Sequence, residues 1–454
     1  MMNTPHQPSD CTGASQIIVP RSLPLIFFTL ALGNAAEALE VCSAGFMLQR
    51  ATDDPAGQTA IAVGVFIGML LGGFVSGVVA DTIGRVPALR WSLTLSTVAS
   101  AAAAFAPGIG TFVVLRVLAG TGVGAATPPL FALATELAPP GKSGPAVALV
   151  ATFWMVGSVI AAGLAAIMLT TTTGRPPSFG ADEPWRPFAF ACAGVPAVST
   201  TLVWTVLAPA QRATPSATLG GAGAGETDAS PTLGTTGAAL GHVQQSLSGV
   251  LRTLADPASR RALYPLMLVW FGLNFGSYGL STWLTALLAN AGVHDPYRVA
   301  LLYSVAMLPG NLFSIFAVDA LGRRPLLVGA MLLSALSAVA LGAVDARTDE
   351  GRVILAACTF SACSNAGWNA LNALSTESFA AEVRATAFSV LAASGRVASI
   401  GSQFVNGALS RNPPVLLSVT SAFMVLGCAG ALMVRPTSGL ERGDHARLTR
   451  TVTE

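Results

Sequence analysis

Long apolar runs alternate with short polar breaks along this chain, and the runs exceed the length of strands or ordinary core helices. Crossing a bilayer as a helix takes about 20 apolar residues. Twelve stretches meet that length, at roughly 23–48, 59–80, 87–106, 110–134, 145–169, 187–207, 262–289, 297–318, 325–344, 352–376, 385–408 and 414–434. Residues 208–261 divide them into two sets of six. The middle of that divider, 214–241, is mostly Gly, Ala, Thr, Ser and Pro and reads as a flexible tether. From 242 to 261 the pattern turns amphipathic and predicts a segment lying along a membrane surface. The expected organisation is an all-α membrane protein with a tail (1–22), a six-helix bundle (23–207), a linker (208–261), a second bundle (262–434) and a second tail (435–454).

Composition strengthens the membrane reading. Hydrophobic residues make up 52% of the 454 and charged residues only 10%, more apolar surface than a soluble fold can bury. Glycines recur four apart at Gly64/Gly68/Gly72 and Gly120/Gly124, the spacing that lets helix backbones approach closely in lipid. With the amino terminus inside, fifteen Lys and Arg fall in inner segments and seven in outer ones, with Arg116 and Arg396 left inside helices. That bias places both termini on the cytoplasmic side. The first 22 residues lack the short apolar core and cleavage site of a signal peptide. The net charge of +2 and the lack of a basic tract give no sign of a nucleic-acid partner. The six cysteines show neither a disulfide framework nor metal-ligand spacing, and all four histidines fall in tails or loops. With no nucleotide loop and no nucleophile–base pair, neither an enzyme nor a cofactor is expected.

A motif recurs. Asp81-Thr-Ile-Gly84-Arg85-Val-Pro reappears as Asp319-Ala-Leu-Gly322-Arg323-Arg324-Pro, 238 positions on, each copy between two apolar runs. Glu136 closes the fourth run and Glu377 the tenth, 241 positions apart. Two motifs agreeing within three residues indicate an internal duplication, six helices per half, and transporters built from such parallel repeats hold their solute between the halves near the midplane. The glycines permit a tight turn. The acids Asp81, Asp319, Glu136 and Glu377 can join Arg85, Arg323, Arg324 and Arg384 in a charge network that gates the inner face.

Inside the first run stand Glu37 and Glu40, three residues apart and so about 60° around a helix. Charge within a span is functional by default and requires a partner. At 1.5 Å per residue, Glu37 lies about 21 Å from the inner end of its helix, and Arg116 lies about 9 Å from the outer end of the antiparallel fourth. In a core of about 30 Å these depths coincide. Arg396 sits about 16 Å from the inner face. The two acids and two arginines can neutralise one another. A carboxylate parted from its arginine in that medium takes up a proton, which is a physical basis for proton coupling. A static salt bridge holding helices in register is the alternative.

The second half is neutral at the corresponding place and carries aromatics and amides instead. Trp154, Tyr278, Trp283 and Trp368, with Asn274, Asn365, Asn369 and Asn372, are the candidate lining of a pocket for an amphipathic organic molecule. In the tenth helix the amides and Trp368 recur at four-residue spacing, a stripe unsuited to lipid.

These motifs together resemble the major facilitator superfamily over essentially the whole chain. Within it the chain is similar to the synaptic vesicle glycoprotein 2 and organic-ion transporter branch. That closer likeness rests on the string from Glu40 to Leu48, Phe153-Trp154-Met-Val-Gly, the string from Tyr278 to Trp283, Leu308-Pro-Gly-Asn311 and Gly367-Trp368-Asn369-Ala-Leu-Asn372. The resemblance implies gating roles for Asp81, Arg85, Asp319, Arg323 and Arg324, an acid pair at Glu37 and Glu40 opposite Arg116, and ligand-facing aromatics at Trp154, Tyr278 and Trp368. Asn372 replaces that branch's aspartate, and the strings typical of sugar transporters after helix 6 and in helix 7 are missing, which disfavours a hexose. The expectation is a monomeric secondary active transporter of a small organic solute, an organic ion, working by alternating access with protons as coupling ion. An uncoupled uniporter and a transport-inactive membrane scaffold are the alternatives, and the intact duplicated gate favours transport.

Overall fold

The computed structural model describes residues 23–139, 142–170, 178–180, 182–213, 257–345, 347–379 and 381–434. The two tails, the Gly-rich tether and nearly all of the amphipathic segment lie outside the described residues. The described residues form helices α1 (Leu23–Ala51), α2 (Pro55–Ile83), α3 (Arg85–Ala103), α4 (Ile109–Glu136), α5 (Ser143–Met168), α6 (Trp185–Cys192), α7 (Gly194–Ala213), α8 (Pro257–Asn290), α9 (Pro296–Leu321), α10 (Arg323–Ala343), α11 (Glu350–Glu377), α12 (Ala381–Leu409) and α13 (Pro413–Met433). Each of the twelve apolar runs coincides with one helix, except that α6 and α7 share the sixth. Among the described residues, eight segments are long and apolar enough to cross a membrane by length and composition alone. The other four, α3, α8, α11 and α12, carry more serines, amides and arginines.

The duplication is visible in the packing. In the first half α1 packs on α5 and α7, and α4 on α2 and α3, while α3 also meets α7. In the second half α8 packs on α12 and α13, α11 on α9 and α10, and α10 meets α13. These are the same five contacts shifted by six spans. The halves meet along α1 with α8, α2 with α12 and α5 with α9.

The turn motifs match at the level of the backbone. Gly84 alone separates α2 from α3 with φ 89° and ψ 158°. Gly322 alone separates α9 from α10 with φ 88° and ψ 157°. That region is closed to residues with a Cβ, so glycine is required at both turns.

Packing of α2 on α4 depends on the four-spaced glycines. A Cβ on Gly68 or Gly72 would collide with the carbonyl oxygen of Val117 or Thr121, and one on Gly120 or Gly124 with the backbone of Val65 or Met69. Each helix thus presents glycine to the other's backbone, and dispersion across that contact holds the pair where no hydrophobic drive acts. Gly124→Val should therefore lower the unfolding free energy by roughly 1–3 kcal/mol through overpacking. Gly163→Val, where an added Cβ meets nothing within 4 Å, should leave it unchanged. Thermal unfolding in detergent, followed by tryptophan fluorescence, checks both.

Candidate functional site

The buried charges separate into two pairs of different character. Glu40 meets Arg116 at 2.7 Å, with both side chains only 2% exposed. Ser100 on α3 donates to the other Glu40 oxygen at 2.5 Å, and the Arg116 guanidinium lies 5.4 Å from the Phe112 ring centre. This pair is enclosed within the first bundle. Glu37, one turn earlier on α1, is 3.5 Å from Arg396 of α12, with side chains 9% and 22% exposed. Thr127 of α4 donates to Glu37 at 2.8 Å. The sequence placed both acids opposite Arg116. The structure gives Arg116 to Glu40 alone and turns Glu37 toward the other half. Sixty degrees around a helix is enough to change the neighbour a side chain meets, which depth along the axis does not register.

An aromatic cluster centred on Tyr278 lies against the second pair. Tyr278 on α8 contacts Phe66 at 5.5 Å, Trp154 at 6.0 Å and Trp368 at 6.0 Å, each edge-on. Arg396 lies 5.8 Å from the same ring centre. Phe66 and Trp154 come from the first half, while Tyr278, Trp368 and Arg396 come from the second, so the box is built at the seam. Trp368 donates to Ser277 at 3.2 Å and meets Trp270 at 5.6 Å. On the same face of α11, Asn365 donates to the Met307 carbonyl at 3.3 Å. Asn369 donates to Asn311 and Ser314, both at 2.6 Å. Asn372, one turn toward the helix end, is exposed.

Two expected lining residues lie elsewhere. Trp283 is fully buried and donates to Gln403 at 2.9 Å. Asn274 is 2% exposed, donating to the Trp270 carbonyl at 2.7 Å and accepting from Ser399 at 3.3 Å. Both tie α8 to other residues of the second half and are satisfied there, because a buried indole or amide must find a partner. Phe66, Thr127, Ser100, Ser277 and Asn311 belong to the site's surroundings and were not singled out by sequence. Only Asn311 carried a signal, in its Pro-Gly-Asn string.

At the end of the bundle that carries the Asp-x-x-Gly-Arg turns, each half closes on itself. Arg85 pairs with Glu136. Arg323 pairs with Glu377 at 3.1 Å and with Asp319 at 3.7 Å. The Asp81 side chain lies outside the described residues. Arg324 and Arg384 depart from the expected network. Arg324 donates to the carbonyls of Ala431 and Leu432 at the end of α13, where unpaired carbonyls and the helix dipole attract a cation. Arg384 donates to the Phe379 carbonyl at 3.3 Å.

At the opposite end the halves are joined. Arg50 donates to Tyr297 at 3.1 Å and to the Leu169 carbonyl at 3.1 Å. Gln49 donates to the Ala286 carbonyl at 3.3 Å and to Asn290 at 3.2 Å. Gly45 packs directly on the Thr282 backbone.

Residues 18–437 match the family described as Sugar (and other) transporter, of the major facilitator superfamily. The chain belongs to this family. Among curated members it is 27% identical to the niacin transporter NiaP of Acinetobacter baylyi over 399 residues, spanning 84% of this chain and 85% of that one. It is 23% identical to synaptic vesicle glycoprotein 2A of Rattus norvegicus over 585 aligned positions, spanning 91% of this chain and 77% of that one. Its fold is similar to the inward-open xylose transporter XylE of E. coli, with TM-score 0.71 at 15% identity over 92% of this chain and 97% of that one. As a member of this transporter family the protein is not an enzyme.

If the inner pair is static, removing one partner leaves a buried charge behind. Glu40→Gln should destabilise the protein by about 3–5 kcal/mol, and the double variant Glu40→Gln with Arg116→Gln should lose less than the sum of the singles. Denaturation midpoints in detergent, taken as a double-mutant cycle, measure that coupling.

Proposed function

We propose that this family member is a secondary active transporter of a small aromatic carboxylate, nicotinate being the first candidate, moved together with a proton by alternating access. The observation that carries the proposal is the Glu37–Arg396 pair, an ion pair from one half to the other with the Tyr278 aromatic cluster against it. The name of the Acinetobacter relative supplies the candidate solute.

The chemistry follows from charge balance. Arg396 is partly open and makes a 3.5 Å contact with Glu37, so an incoming carboxylate can compete for its guanidinium, which suits planar bidentate recognition. The rings of Tyr278, Trp154 and Trp368 then meet a flat aromatic body edge-on or face-on. Glu37, once displaced, stands in an apolar interior without counter-charge and is neutralised by a proton, with Thr127 keeping a hydrogen bond to it. Solute and proton now remove the attraction that Glu37 and Arg396 exert across the seam. The arginine pairs at the turns lie within each half, and Gln49, Arg50 and Tyr297 join the halves at the far end. On the orientation implied by the basic residues, these contacts support a state open to the cytoplasm. Rocking would exchange the far-end contacts for contacts between the turn ends.

One negative solute carried with one proton moves no net charge. In proteoliposomes, uptake of labelled nicotinate should therefore follow an imposed pH gradient and be indifferent to a potassium-diffusion potential. Glu37→Gln should remove the response to the pH gradient while still allowing exchange of solute across the membrane. Arg396→Gln should raise KM at least about tenfold, the loss of one charged hydrogen-bonded contact. Uptake that is driven by potential, or unaffected in Glu37→Gln, would overturn the coupling. Absence of nicotinate uptake, with uptake of another aromatic acid, would replace the solute and leave the mechanism.

A further inference from the structure

Two amides on α11 have their polarity fixed by what they already bind. Asn365 donates to the Met307 carbonyl at 3.3 Å and to the Met155 sulfur at 3.7 Å. A carbonyl only accepts, so the end of the amide turned toward it is the NH2 group. Met155 belongs to α5 of the first half and Met307 to α9 of the second, which puts Asn365 on the seam. Asn369 donates to Asn311 Oδ1 and to Ser314 Oγ, both at 2.6 Å. Ser314 has one hydroxyl proton and gives it to the backbone carbonyl of Asn311 at 2.7 Å, so toward Asn369 it accepts.

With the N–H groups of both amides committed, what each has left is its carbonyl oxygen. Neither Oδ1 has a hydrogen-bond partner among the described residues, and neither is sealed from solvent; both residues are half-buried. Trp368, between them on the helix, spends its one N–H on Ser277 at 3.2 Å. From Asn365 to Asn369, therefore, the side-chain polar atoms that α11 leaves open only accept. The aromatic cluster sets which part of a solute arrives there. Tyr278 meets the Arg396 guanidinium, 5.8 Å from its ring centre, and also Trp368, at 6.0 Å. A flat acid with its carboxylate at Arg396 and its ring along Tyr278 extends its far edge toward Trp368 and the amides beside it. An N–H or O–H on that edge finds an acceptor. A pyridine nitrogen or an ether oxygen there meets another oxygen and goes unpaired.

We propose that Asn365 and Asn369 determine specificity, selecting among aromatic carboxylates those that carry a hydroxyl or amino donor on the ring. This selection rests on Arg396 holding the carboxylate, as read above, and it refines the solute: nicotinate, whose ring nitrogen accepts, gains nothing at this edge. Isothermal titration calorimetry of the full-length protein in detergent tests it with benzoate, nicotinate, 3- and 4-hydroxybenzoate and the matching methoxybenzoates. One hydroxybenzoate or both should bind about fivefold tighter than benzoate, the share of one added hydrogen bond. The methoxy counterpart keeps the oxygen without the proton and should lose that gain. Nicotinate should bind no more tightly than benzoate. This ligand series needs no variant. In Asn365→Leu or Asn369→Leu, whichever oxygen the hydroxyl meets, the ratio of hydroxybenzoate to benzoate affinity should fall to about one. A change that only loosened the packing of α11 on α9 would weaken all the acids together and leave that ratio in place. Hydroxybenzoates no tighter than benzoate, a methoxy compound or nicotinate matching them, or a ratio unchanged in both variants would each overturn the proposal. Equal binding of all the acids, still weakened by Arg396→Gln, overturns the selection alone. Binding of none of them overturns the carboxylate site and the selection with it.

Discussion

Charge in a medium that cannot solvate it is the constraint around which this molecule is arranged. Two glutamates and two arginines lie within helices surrounded by apolar side chains, and each needs an opposite charge within contact distance. Glu40 and Arg116 meet that need inside one bundle, sealed to 2% exposure and supported by Ser100. Glu37 and Arg396 meet it across the seam, at a longer distance and with more of Arg396 exposed. A pair confined to one rigid body survives any movement of the two bodies. A pair shared between them is made or broken by any such movement, which is why the proposed coupling of solute and proton is assigned to it. The aromatic box around Tyr278 lies at the same seam and draws on both halves for the same reason.

Symmetry and its loss are divided between backbone and side chains. The two Gly turns agree within a degree in φ and ψ, and the same five helix contacts recur in each half. Such agreement reflects packing and turn geometry, which tolerate little change. Interior chemistry is freer. The first half carries the acids and the second carries Trp368, Tyr278 and the amides of α11. Arg396 already has Glu37 as its partner, and a mirrored acid in the second half would have added a buried charge without one.

The far-end contacts have a different legibility from the turns. Gln49, Arg50, Tyr297 and Asn290 join the halves through hydrogen bonds between residues more than two hundred positions apart. No periodicity or motif marks them, since ordinary polar residues near helix ends carry no pattern. The turn motifs were legible because a positive φ restricts the residue to glycine and the duplication wrote it twice. Arg324 and Arg384 share the neighbourhood of those motifs, yet the carbonyls they satisfy are set by where α13 and the end of α11 finish in space.

The sequence by itself determined the twelve helical spans, the division into two sets of six, the position of both Gly turns and the presence of buried charge. Each follows from local quantities: the length of an apolar run, the backbone freedom of one residue, the cost of an ion in lipid. Tertiary structure alone decided which acid meets which arginine, since Glu37 and Glu40 differ by only about 60° on one helix and face different neighbours. It also decided that Trp154, Tyr278 and Trp368 face the seam while Trp283 and Asn274 bind within their own half. Residue type shows that an indole or an amide must be satisfied, and only the packing of the two bundles shows by what.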